Sequence, residues 1–350
     1  MRSGVPSAAG LHLRHDRPPQ RRAAFQAGSE GQYRQLPGPV SLQAGAAGTD
    51  DPALFHVGGL CILLLPALTH GATIHLHARF DPLATLQEIE ASSITTSLLV
   101  PAQMAAMMSL AAWPATDLSG MDYVVVGSSL IPLQQIQSFH HRNIPVSQIY
   151  GATETGPAAI GLGAQDARER EGSAGKAMAH CAVEVRNADR QVCQTGERGD
   201  IWVRGGNIFT AYWRNPQETA DVLVDGWYNT GDIGYVDPDG YHWIVDRSKD
   251  VIISGGENIY PAEVEAISLQ HPAIAQIAVV GQPDERWGEA PVAAVELAEG
   301  CALTLEDYQT FLTDRLARYK HPKALHVTQA LPRNGMGKIE KSEVKRQLQT

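Results

Sequence analysis

From residue 52 to about residue 150, short β-branched runs alternate with amphipathic stretches, and this alternation limits the fold more than any other feature. Strand-like runs fall at 73–77, 96–100, 123–126 and 147–150; helical patterns fall at 82–91, 102–112 and 132–141. Strands separated by helix-length segments predict a layered α/β domain. Beyond residue 182 short strands dominate, at 182–186, 200–204 and 241–246, with Asp237-Pro-Asp-Gly240 as a turn in which Pro238 presets φ. After Asp250 the pattern becomes α+β: strands 251–253, 274–280 and 291–297, and helices 261–270, 305–316 and 341–348. The expected fold is α/β: the remainder of a large layered domain with a β-rich subdomain (53–248), then a small mobile α+β domain (250–350), with the boundary near Lys249.

Residues 1–52 have a different texture. They are rich in Arg, Gln, Ala, Gly and Pro and carry no apolar period of 2 or 3.6. Arg2, Arg14, Arg17, Arg21 and Arg22 face the single acid Asp16 within the first 25 residues. An Arg-rich, acid-poor start suits a transit peptide, but Pro18-Pro19 breaks the amphipathic helix one needs. This segment is expected to be atypical: out of frame, or disordered.

Several function classes fall away. No apolar run reaches the ~20 residues of a membrane helix; the longest, 57–68, holds Gly58, Gly59 and Pro66 and reads as buried. A net charge of −10 argues against a nucleic-acid partner. Four scattered cysteines without a CxxC point to free thiols in a reducing, cytoplasmic compartment and to no zinc site.

Four segments carry chemistry. Tyr150-Gly-Ala-Thr-Glu-Thr-Gly156 follows a predicted strand. Its glycines admit close approach of a ligand, Thr153 can donate to a phosphate, Glu154 offers Mg²⁺ a hard oxygen, and Tyr150 offers a face to a planar base. Asp225-Gly-Trp-Tyr-Asn-Thr-Gly-Asp232 reads as a turn ending in a carboxylate suited to ribose hydroxyls. Asp246-Arg-Ser-Lys-Asp250 leads into a buried strand and then the Gly255-Gly256 turn. Pro332-Arg-Asn-Gly-Met-Gly-Lys338 puts a cation at a Gly-rich loop, useful where negative charge accumulates. Taken singly, the first, second and fourth are an ordinary polar loop, an ordinary turn and a surface lysine.

In this order and spacing the four resemble the adenylate-forming superfamily, which includes acyl-CoA synthetases, luciferases and nonribosomal adenylation domains. Phe55-His-Val-Gly-Gly-Leu60, Val124-Val-Val-Gly-Ser-Ser129, Gly172-Ser-Ala-Gly-Lys176 and Gly196-Glu-Arg-Gly-Asp-Ile201 with Gly205, Tyr212 and Trp213 support the likeness, which covers about residues 53–345. The resemblance implies a large AMP-binding domain, the substrates ATP, CoA and a small carboxylic acid, and Mg²⁺. Gly127, Ser128, Ser129, Tyr150 and Gly151 would line the nucleotide site. Thr153 would contact the α-phosphate, Glu154 the metal, and Asp232 and Arg247 the ribose. Lys249 would be the hinge, and Lys338 would neutralise charge as the carboxylate attacks. Gly255, Gly256 and Glu257 would border the CoA tunnel; His56, Val57, Gly151 and Ala152 would sit at the acyl pocket.

The family pattern also includes a Gly/Ser/Thr-rich phosphate loop with a lysine before the Phe-His segment. No such run stands here, where the first lysine is Lys176, and roughly the first third of the family's large domain has no counterpart. Residues 11–23 admit a codon test. Take CTT CAC CTC CGG CAC GAC CGG for Leu11 to Arg17 and CCG CCC CAA AGG CGT for Pro18 to Arg22. Read one base later, into a GCN codon for Ala23, these spell Phe-Thr-Ser-Gly-Thr-Thr-Gly-Arg-Pro-Lys-Gly-Val. The expectation is that residues 1 to about 52 are read out of frame and that the frame is restored before Phe55. The chain would then be an acyl-CoA synthetase impaired by loss of its phosphate loop.

Two other readings remain. A carrier-loading adenylation domain usually has Asp after the Phe of the Phe-His segment; here it is His56, and twelve residues follow Lys338. The other reading is a catalytically dead fragment. His75 and His77 are expected at the surface, His140 and His141 at a helix end where a cation suits the dipole, and Met104, Met107, Met108 and Trp113 in the core.

Overall fold

The computed structural model describes residues 10–11, 22–23, 40–43, 56–127, 130–179, 181–334 and 338–348. These fall into two compact units: one holds the described residues up to Thr230 with Gly234–Ile244, the other Gly231–Ile233, Val245–Asn334 and the described residues from Lys338.

In the first unit, β1 (Gly10–Leu11) and β2 (Arg22–Ala23) form a small antiparallel pair. A seven-stranded sheet runs β4-β3-β5-β6-β7-β8-β9, built from β3 (Val40–Gln43), β4 (Ile74–His77), β5 (Thr96–Leu99), β6 (Tyr123–Val126), β7 (Val146–Tyr150), β8 (Ile160–Gly161) and β9 (Lys176–Ala177). Its first five strands pair in parallel and the last two antiparallel. The strand β3 lies within the segment 1–52 that carries no apolar period.

Helices α1 (Leu65–Thr69), α2 (Pro82–Ala91), α3 (Pro101–Met108) and α4 (Leu133–His141) connect these strands. Asp81 caps α2 by accepting from the Ala84 amide at 2.8 Å, and Pro82 sits in its first turn, where no N–H is needed. Leu86 and Ile89 of α2 join Met104, Met107, Trp113, Val124, Ile136 and Phe139 in the main core, each side chain worth about 2 kcal/mol. Helix α3 stops short of the expected residue 112, in the turns before Pro114. The 57–68 segment forms a wide π-helical turn (Gly59–Leu64) leading into α1. It is mostly half-buried rather than buried, and Leu68 is 59% exposed. His140 is not a surface cation. It is buried, its Nε2 accepts from the Val146 amide, and its Nδ1 therefore carries the proton and donates to Glu171 at 2.6 Å.

A second sheet runs β10 (Cys181–Arg186), β11 (Gly199–Gly205), β13 (Trp227–Val236), β12 (Leu223–Val224), with β14 (His242–Arg247) also on β13 and α5 (Pro216–Val222) preceding β12. The second unit holds a sheet of order β16-β15-β18-β17, from β15 (Ile252–Ser254), β16 (Glu257–Ile259), β17 (Ile274–Asp284) and β18 (Gly288–Leu297); β19 (Ala324–Val327) adds in parallel to β18. Helices α6 (Pro261–Ser268), α7 (Leu305–Leu312) and α8 (Lys341–Gln347) complete it. Tyr308 and Leu312 of α7 pack with Val264, Val279 and Val295. Helix α7 ends at Leu312, before the expected residue 316, because Thr313 turns extended (φ -60, ψ 138).

Candidate active site

In the first unit the chain leaves β7 and makes a single 3₁₀ turn, Thr153–Thr155. The buried Thr155 hydroxyl accepts from the Ala152 amide at 2.8 Å, tying the turn to its own entry. Gly151 is obligatory: a Cβ there would lie 1.9 Å from the Pro157 carbonyl oxygen. Gly156 closes the turn at φ +65 and approaches the Asn207 carbonyl, where a Cβ would stand at 2.9 Å. Thr153 is buried and Glu154 half-buried.

The turn is clamped from outside by residues 207–212. Asn207 Nδ2 donates to the Thr155 carbonyl at 2.8 Å, the Phe209 amide to the Glu154 carbonyl at 2.9 Å, and the Tyr212 hydroxyl to Glu154 Oε1 at 2.8 Å. Phe209 anchors the clamp: its ring lies 4.7 Å from that of Tyr212 and 5.4 Å from that of Tyr228. Motif reading gave Tyr212 no role toward Glu154 and missed Asn207 altogether. The available signal was Tyr212 itself, since a tyrosine among apolar neighbours needs a partner for its hydroxyl. With Oε1 engaged, Oε2 is the oxygen Glu154 can offer a ligand. Among the described residues no cluster of three His, Cys, Asp or Glu could hold a metal. One hard carboxylate oxygen fits Mg²⁺, which takes one or two carboxylates and completes its shell with phosphate and water.

The remaining sequence candidates of this unit are dispersed around the same sheet. Gly127 ends β6 where a Cβ would meet the Ile149 carbonyl at 2.9 Å, so its small size keeps β6 and β7 together. Ser128 and Ser129 lie outside the described residues. Tyr150 is half-buried and packs on Ala159, Ile160 and Val203. Val57 is buried, and His56 Nδ1 accepts from the Gly58 amide at 3.1 Å.

In the second unit Asp232 is not in a turn. It sits within β13, 8% exposed, with Oδ1 3.0 Å from Arg247 Nε. The Arg247 side chain is about half exposed, so the pair adds little stability and chiefly fixes the carboxylate. Lys249 lies in the exposed turn Ser248–Asp250. Gly255 (φ +61) and Gly256 (φ +87) form the two-residue turn between β15 and β16, the left-handed pair that such a hairpin requires. Glu257 is exposed beside it.

The Lys338 amide donates to Asn334 Oδ1 at 3.1 Å and the Asn334 amide to the Lys338 carbonyl at 2.9 Å. Lys338 is exposed, yet protein crowding around its ammonium, followed by the positive charge of Arg247, lowers its pKa, with Asp232 and Asp250 opposing. Asp232, Arg247 and Lys338, distant in sequence, thus share one electrostatic neighbourhood.

Residues 52–213 match the AMP-binding enzyme family and residues 263–338 its C-terminal domain; the chain belongs to the AMP-binding enzyme family. It is 46% identical over 292 residues to an indoleacetate–CoA ligase of Aromatoleum aromaticum, covering 83% of this chain and 57% of that protein. It is 40% identical to a feruloyl-CoA synthase of an Amycolatopsis species, covering 84% of this chain and 60% of that one. The o-succinylbenzoate CoA synthetase of Bacillus subtilis, solved with its acyl-adenylate intermediate, superposes with a TM-score of 0.82 at 30% identity, covering 98% of this chain and 68% of that one. The same enzyme has been solved with ATP and magnesium ion; it matches with a TM-score of 0.81 at 31% identity, covering 94% of this chain and 67% of that one. The chain thus spans 57% and 60% of the length of these two curated relatives. No helix among the described residues is long and apolar enough to cross a membrane.

Proposed function

We propose that this chain carries the machinery of an AMP-forming acid–CoA ligase acting on an aromatic carboxylic acid. The observation that carries the reading is the shared neighbourhood of Asp232, Arg247 and Lys338 in the second unit. Relatives named for indoleacetate, ferulate and succinylbenzoate support an aryl acid over a plain fatty acid. Asp232, oriented by Arg247, accepts from the ribose hydroxyls. Thr153 donates to the α-phosphate, and Tyr150 and Gly151 border the nucleotide. Glu154 would hold Mg²⁺, which when bound offsets phosphate charge. Lys338 would supply a positive charge as a carboxylate and a phosphate, both anionic, approach each other. His56, Val57, Gly151 and Ala152 border the acyl group, and Gly255, Gly256 and Glu257 the CoA arm, with Lys249 as hinge.

The adenylating half is impaired in the chain as written, because no Gly/Thr-rich run is present to grip the β- and γ-phosphates. Bases beneath residues 11–23 can spell that run in the shifted frame. Resequencing the coding DNA through codon 60 should return one uninterrupted frame containing it; an unchanged frame would overturn the frameshift.

AMP binding tests the functional reading itself. AMP and ATP should bind with affinities within a few-fold of each other, and Asp232→Ala should abolish both. Absence of any AMP binding at millimolar concentration would sink the proposal.

A further inference from the structure

The second unit draws three charged groups inward, Asp246 buried and Glu265 and Lys341 half-buried, to which no role has been given. Asp246 of β14 is 7% exposed; its Oδ2 accepts from the Ala262 amide at the start of α6 at 2.7 Å, and its Oδ1 from the Arg247 amide at 2.8 Å. Glu265 of α6 accepts from the Val279 amide of β17 at 2.7 Å, and the same oxygen takes the Lys341 ammonium of α8 at 2.8 Å. Lys341 stands three residues after Lys338. The Lys338 backbone is in turn closed by its two bonds with Asn334, and the Glu340 amide donates to the Pro332 carbonyl.

Burial pushes the carboxyls of Asp246 and Glu265 up, with Lys341 holding both back. The two acids outweigh burial at Lys341 and keep it firmly charged. A cation paired with Glu265 and acting on Asp246 matters to both, because removing it leaves their charge uncompensated.

We propose that Lys341, Glu265 and Asp246 form a yoke that positions Lys338 relative to the Asp232–Arg247 pair. The path is continuous: Lys338 to the start of α8, Lys341 to Glu265, along α6 to the Ala262 amide, Asp246, and the Arg247 amide. Lys341 is a positioning residue and touches no substrate. Its importance to catalysis rests on the functional reading above; its control of Lys338 does not.

The test is therefore made without nucleotide. The protein is treated with an amine-acetylating ester across a pH series, and Lys338 acetylation is read by mass spectrometry together with amide exchange of residues 339–348. In Lys341→Met a positive charge beside Lys338 disappears and two acids lose their partner, so the midpoint of Lys338 acetylation should move upward. Exchange at 339–344 should quicken about tenfold, while the amides of α7 keep their protection. Lys341→Arg should restore both readouts, whereas Glu265→Gln, which removes a negative charge and frees Lys341, should move the midpoint downward while quickening exchange at 339–344 in part. An unchanged midpoint in both Lys341→Met and Glu265→Gln would overturn the yoke. So would equal loss of protection in α7 and α8, which would mark Lys341 as merely structural. AMP binding, measured separately, reports on the ligase reading alone.

Discussion

The Thr153–Gly156 turn and the Lys338 segment present chemistry in opposite ways. The turn is set by covalent shape: Gly151 has no room for a Cβ, Gly156 is left-handed, and a neighbouring segment clamps the turn through two backbone carbonyls and one carboxylate. Lys338 is exposed and is held through Asn334 and, on our proposal, through partly buried charges on other elements. A phosphate-facing turn gains from rigidity. A lysine that must meet accumulating charge gains from an adjustable side chain.

The contrast can be broken at several points. Gly151→Ala should have the largest effect, about 3 kcal/mol or more off unfolding free energy in urea, because the new Cβ meets backbone; a loss below about 1 kcal/mol would mean the turn yields. Tyr212→Phe should cost about 1.5 kcal/mol by losing a bond to a carboxylate. It should also raise the Mg²⁺ concentration needed for nucleotide binding, and equal stability with unchanged metal dependence would show Glu154 oriented by something else. Asp232→Asn should change stability by less than about 1 kcal/mol, since Arg247 is half exposed, while lowering AMP affinity, a split that calorimetry resolves.

Lys338→Ala should have the smallest effect and the opposite sign. A lysine whose folded pKa is lowered binds its proton less tightly than in the unfolded chain. Charged Lys338 therefore opposes folding at neutral pH, and the penalty is relieved as pH rises from that lowered value towards about 10.4. The variant should unfold slightly later than wild type at pH 7, with the difference closing above that window. A less stable variant at pH 7 would reverse the sign assigned here.

The same contrast explains what was readable beforehand. Helix α2 announced itself through Asp81, Pro82 and its apolar spacing, and the Tyr123–Val126 strand through four β-formers in a row. The glycines of the Thr-Glu turn and of the Gly255-Gly256 hairpin were visible because they report local backbone need. The Asp225–Asp232 segment does hold a turn, at Asp225-Gly226, but the strand that follows it was hidden by Gly231; its length comes from pairing on both edges, which is a long-range effect. The Tyr212–Glu154 bond and the Lys341–Glu265 pair join residues far apart in sequence, and only the fold brings them together. His140 looked like a helix-end cation until burial gave each ring nitrogen a partner.

The most direct test supplies the chain with a preformed aryl-adenylate, such as indoleacetyl-AMP, and CoA, and follows thioester and AMP. This half of the chemistry involves no β- or γ-phosphate. The account predicts thioester formation well above the uncatalysed rate, lost in Asp232→Ala, alongside no carboxylate-dependent pyrophosphate exchange from MgATP. Thioester formation no faster than without protein, from a folded chain, would contradict it.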